Sequence, residues 1–153
     1  MKRRKEMELY FLQRFCYNEK KAKGDGRMTQ DVLMFFDKDP NMLPLYEALE
    51  QQILSRIENV QLRVQKTQIG FYNRHLFAAV SFLKVRKANQ RPPHFITLTF
   101  GLNYRLDSSR IDAATEPYPG RWTHHLLLDN IEQIDDELMG WLLQAAAFSD
   151  SKR

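Results

Sequence analysis

One segment in the first third of the chain carries apolar residues at helical spacing. Met42, Tyr46, Leu49, Ile53 and Ile57 follow one another at steps of three and four, the period that gathers side chains onto one stripe of a helix. The spacing predicts a core-facing helix over 41–57, with Pro44 in its first turn, where no backbone donor is lost. A shorter helix over 29–36 precedes it, capped by Thr29 and halted near Asp39-Pro40. The period then drops to two. Val60, Leu62 and Val64 alternate with Gln61, Arg63 and Gln65, and the apolar phase moves to odd positions at Ile69 and Phe71. A strand cannot change phase without a turn or a bulge, so the break is placed at Lys66-Thr67-Gln68.

Further strand signals follow. His75 to Leu83 is apolar on both faces, as a central strand should be, and Lys84 to Pro93 reads as a basic hairpin or loop. His94 to Leu102 puts Ile96, Leu98, Phe100 and Leu102 on one face and Thr97 and Thr99 on the other. Residues 103–120, with Pro117, Pro119 and Gly120, read as a long excursion. Arg121 to Leu128 is the last strand. A final helix over 135–147 buries Leu138, Trp141, Leu142 and Ala145, and Asp135, Asp136 and Glu137 complement the dipole at its start. The predicted fold is α+β: an antiparallel sheet of four or five strands with helices packed on one face.

Composition narrows the class. The 153 residues are 43% apolar and 27% charged, with ten Phe and two Trp, which excludes a disordered chain. No apolar run reaches the roughly 20 residues that span a bilayer, so no membrane partner is expected. The single cysteine, Cys16, cannot form an internal disulfide, and a lone thiol suits the cytoplasm. Net charge is +4, but residues 1–27 hold nine Lys or Arg against four acidic residues, leaving the remainder at −1. The excess therefore sits in a basic, flexible N-terminal extension over 1–27, followed by a single α+β domain over 28–150. A high positive charge confined to the extension does not make the domain a nucleic-acid binder.

Few catalytic arrangements survive inspection. His124 and His125 are adjacent on a strand and point to opposite faces, so they cannot ligate one metal, and His75 and His94 fall on other strands. No nucleophile elbow and no phosphate-cradling glycine loop is present, and no metal or other cofactor is expected. The remaining polar set gathers at presumed strand ends: Lys66, Thr67, Tyr104, Arg105, Arg110, Arg121 and His125. If these ends meet, they line a cleft suited to carboxylate or phosphate. The competing reading is that Arg105, Asp107 and Arg110 tie down the excursion. Lys84, Arg86, Lys87 and Arg91, together with residues 2–5, offer a second basic surface able to grip phosphate backbones. It lacks the aromatic residues that stack bases, and a solvated hairpin tip is the preferred account of it.

Lys66-Thr-Gln-Ile-Gly-Phe71, Leu98-Thr-Phe-Gly-Leu102 with Arg105-Leu-Asp-Ser108, and Glu116-Pro-Tyr-Pro-Gly-Arg-Trp-Thr-His-His125 resemble the bacterial domain of unknown function 5655. The resemblance covers residues 31–148 and implies a leading helix, a compact sheet and a closing amphipathic helix. It implies no activity and carries over no catalytic residue. The leading expectation is thus a non-catalytic module binding an anionic small molecule or nucleic-acid phosphate. Two others stand beside it. One is a small hydrolase or transferase with His125 as base and Tyr104 or Thr67 assisting. The other is a homodimer formed through a sheet face bearing Phe95, Thr97 and Thr99.

Overall fold

The computed structural model of the chain describes residues 26–152, with side chains from Gln30. Cys16, the apolar residues Leu9, Phe11, Leu12 and Phe15, and almost all of the basic extension lie outside the described residues. Among those described, helix α1 (Gly26–Phe35) leads through two 3-10 turns, Phe36–Lys38 and Pro40–Met42, into α2 (Leu43–Arg56). Thr29 therefore lies inside α1 and does not cap it. Strands β1 (Gln61–Val64), β2 (Gln68–Tyr72), β3 (Leu76–Ser81), β4 (Ile96–Leu102), β5 (Ala113–Tyr118) and β6 (Arg121–Leu128) precede the closing helix α3 (Asp136–Ser151).

The strands form one antiparallel sheet in the order β1-β2-β3-β4-β6-β5. The count is six, not four or five, because β5 lies inside the segment expected to be an irregular excursion. It escaped the hydrophobic pattern for a physical reason. Ala113 to Tyr118 is an edge strand with little buried side-chain surface, and Pro117 can sit there because an edge position has a side free of ladder bonds. Pro119 and Gly120 (φ 73°) turn β5 directly into β6, with Tyr118 paired to Arg121, as a proline followed by a left-handed glycine does in a type II turn.

All three helices cover the same sheet face. Met42, Tyr46, Leu49, Ile53 and Ile57 are all buried, as are Leu138, Trp141, Leu142 and Ala145. They share one core with Ile69, Phe71, Val80, Leu98, Phe100 and Leu126. A register shift leaves Phe77 without a direct partner: Phe71 pairs with Ala78 and Tyr72 with Leu76. The extra residue at this bulge lets Phe77 join the core beside Ala78, which accounts for a strand that reads as apolar on both faces. No helix among the described residues is long and apolar enough to cross a membrane.

The clasps that close this layer are polar. Asp135 caps α3 by accepting from Leu138 N–H at 2.9 Å. Arg56 bonds Asp136 at 3.0 Å, joining the end of α2 to the start of α3. At the other end of α3, Asn73 Nδ2 donates to the Ala146 carbonyl, while Ser149 Oγ accepts from His75 N–H and donates to the His75 carbonyl. The β2–β3 hairpin is thereby fixed to the helix.

Candidate functional site

Alternation along β4 and β6 decides which side chains leave the core. Phe100 pairs with His124 and Thr99 with His125, so the two consecutive histidines point to opposite faces. His124 is fully buried, stacks on Phe100 (ring centroids 5.1 Å apart) and accepts the Leu106 N–H at Nε2, 2.9 Å. Burial lowers its pKa; a backbone interaction with Phe100 opposes the shift, and His125 and Arg105 add to it. His124 is thus an interior residue that anchors the chain leaving β4.

On the outer face, two rows run across the sheet in register. One carries Gly70, Ala79, Thr99 and His125; the next carries Gln68, Ser81, Thr97 and Leu127. The segment after β3 returns over this face, and Thr97 Oγ1 donates to the Leu83 carbonyl at 2.6 Å. Thr97 is consequently buried. The face expected to stay open for pairing with a second copy is closed there.

Beside this crossing lies a recess of about 410 Å³. Gln68, Ser81, Thr99 and His125 come from the sheet, Thr67 from the β1–β2 turn, Phe82 and Leu83 from the crossing segment, and Lys38 from the first 3-10 turn. The β1–β2 turn forms where the strand phase changes: Gln65 N–H donates to the Gln68 carbonyl at 2.8 Å, leaving Lys66 and Thr67 at the tip. Lys38 Nζ donates to the Lys66 carbonyl at 3.3 Å, which brings the ammonium to this turn. Thr99 Oγ1 lies 2.8 Å from His125 Nδ1. Burial holds the His125 pKa below the ordinary value of 6.5, so its imidazole is neutral at pH 7. The lining contains hydroxyl, amide, imidazole and ammonium groups and no carboxylate.

Of the seven residues singled out from sequence, Thr67 and His125 line this recess, and Lys66 lines an adjoining cavity of about 350 Å³ that shares Lys38. The other four lie elsewhere. Tyr104 donates its hydroxyl to Gln144 Oε1 at 2.6 Å. Arg105 sits over the Trp122 ring (5.9 Å) and lines a separate cavity with Asp107, Ser108 and Asp112. Arg110 bonds both oxygens of Asp135, Glu137 Oε1 and the Gln133 carbonyl, and lies 5.3 Å from the Trp141 ring centroid. Arg121 begins β6, four residues from His125, or about 13 Å along an extended strand. Of the three arginines, only Arg105 lines one of these three cavities.

The basic loop is also partly committed. Arg86 makes a two-pronged contact with Asp112 (2.7 and 3.3 Å), and Asp112 Oδ2 also accepts the Leu127 N–H. That hydrogen bond to Asp112 raises the Arg86 pKa further. Lys38 was missed from sequence because its segment reads only as a helix stop. No local signal links it to a turn 28 residues later.

These elements define a small α+β domain with a helical layer on one sheet face and a recess of mixed polar and apolar lining on the other. A family model described as Domain of unknown function (DUF5655) matches residues 34–151, and the chain belongs to that family. No curated protein and no solved structure matches it.

Proposed function

We propose that the chain is a non-catalytic binding module that seats a small anion in the outer-face recess. The observation carrying this reading is the exposed Lys38 ammonium, set among the Thr67, Ser81 and Thr99 hydroxyls and the Gln68 amide in a lining free of carboxylates. Such donors in a concave site satisfy an oxyanion. A nucleic-acid backbone is held by many cations at once. Here Arg86 and Arg110 are engaged by acids, which favours a small ligand. Thermal-shift titration of the full chain with small carboxylates and phosphates tests the proposal. A midpoint rise that Lys38→Ala abolishes is expected; no rise with any anion refutes it.

A second reading, a small hydrolase or transferase with His125 as base, is favoured by the 2.8 Å Thr99–His125 contact. A neutral imidazole beside a hydroxyl is the minimal pairing for general-base activation. It predicts turnover of activated esters that is lost in both His125→Ala and Thr99→Val. Ester turnover indistinguishable from buffer removes it.

A further inference from the structure

Building on the small-anion reading, we infer that the recess takes an organic monocarboxylate with an apolar body, in preference to a phosphate or phosphate ester. Three features of the lining lead there. The first is charge. Lys38 is the sole Lys or Arg in the lining, and its ammonium has three donors, one already given to the Lys66 carbonyl. Two remain, matching the two oxygens of a carboxylate. A phosphate monoester carries close to two negative charges at neutral pH, its second pKa being about 6. A recess whose lining holds one ammonium offers that second charge no second ammonium or guanidinium.

The second feature is the apolar wall. Phe82 is held by stacking on Phe35, with ring centroids 5.4 Å apart and an interplanar angle of 16°. Beside it, Leu83 is 49% exposed. An exposed leucine on a recess wall gains contact when an apolar ligand body covers it, whereas inorganic phosphate gives it nothing. The third feature is size. A cavity of about 410 Å³ falls at the low end of ligand-pocket volumes, roughly 300–1,000 Å³, and suits a medium-chain acid better than a nucleotide.

Isothermal titration of the full chain with octanoate, 1-octanol, octyl phosphate and inorganic phosphate tests the inference. Octanoate is expected to bind about tenfold or more tightly than each of the other three. Lys38→Met keeps the apolar stem but removes the charge, and should reduce octanoate to the level of the alcohol. Leu83→Asp should weaken octanoate as well. Thermal midpoints of both variants, measured without ligand, verify that they fold. Binding of either phosphate without octanoate overturns the carboxylate assignment and leaves the small-anion reading standing. Equal binding of octanoate and octanol, or no binding of any probe, overturns both.

Discussion

The Arg110 guanidinium holds both carboxylate oxygens of Asp135, each at 3.0 Å, while Asp135 also caps helix α3 through Leu138 N–H. One acid thus fastens the segment after β4 and starts the closing helix. Arg110→Ala should lower stability by about 1–2 kcal/mol, a range discounted because both side chains retain contact with water. Arg110→Lys should recover only part of this, since a lysine lacks the planar fork. Urea denaturation of the three proteins supplies the comparison. Asp135 has a pKa below its ordinary value of 3.8, first through Leu138 N–H and then through Arg110. Its contribution is present above that value and fades as pH falls through the folded pKa.

Glu50 has no exposed surface, and burial pushes its carboxyl up to about 8 from an ordinary 4.5. Between those values the folded protein keeps a proton that the unfolded chain has released. Stability should therefore fall as pH rises from about 4.5 to about 8, by up to about 1.4 kcal/mol for each pH unit crossed. Glu50→Gln should flatten this slope and gain stability relative to the native chain as pH increases. Denaturation midpoints at pH 5, 6.5 and 8 measure it; parallel curves for the two proteins contradict the assignment.

His124 and His125 both resist protonation because they are desolvated. The unfolded chain takes up these protons below the ordinary value of 6.5 before the folded protein does. Their contribution to stability is complete above that value and is lost as pH falls through the folded pKa values. NMR titration of the imidazole protons should place both midpoints below 6.5. A midpoint at or above 6.5 for either would contradict a shift governed by burial.

A Cβ on Gly70 would meet the Tyr72 ring at 2.7 Å and Leu76 Cδ1 at 3.0 Å. Tyr72 is in turn covered by the Arg63 guanidinium, 4.2 Å from the ring centroid. Gly70→Ala must displace this pair and should cost about 1–2 kcal/mol. In a Tyr72→Ala background the same change should cost much less, because the main obstacle is gone. A double-mutant cycle by chemical denaturation reads the coupling; purely additive losses would mean that the ring yields freely.

Elements whose burial is periodic were readable from sequence. The α2 stripe and the buried positions of α3 lie where spacing placed them, and β6 spans the expected Arg121–Leu128. Strand β5 was hidden because its pairing is made by backbone on an exposed edge, where side-chain pattern is uninformative. Its turn was visible all the same: Pro119-Gly120 before a strong strand signals a hairpin. The candidate site was readable only where local geometry governs it, as in the opposite aims of His124 and His125 and the turn at Lys66-Thr67. Long-range ion pairing is different. Asp135 and Glu137 explain themselves as helix-start residues, and nothing in their spacing announces Arg110, 25 and 27 residues upstream.

Consecutive histidines occupy one strand's two sides, and the β4–β6 register fixes which of them enters the core. A slip of a single position would drive His125 among Phe100 and Trp141 and strand His124 in solvent. The placement of the recess imidazole is thus inherited from the hydrophobic interior. Damage to ring packing around Phe100 should therefore disturb the Thr99–His125 contact on the opposite side of the sheet.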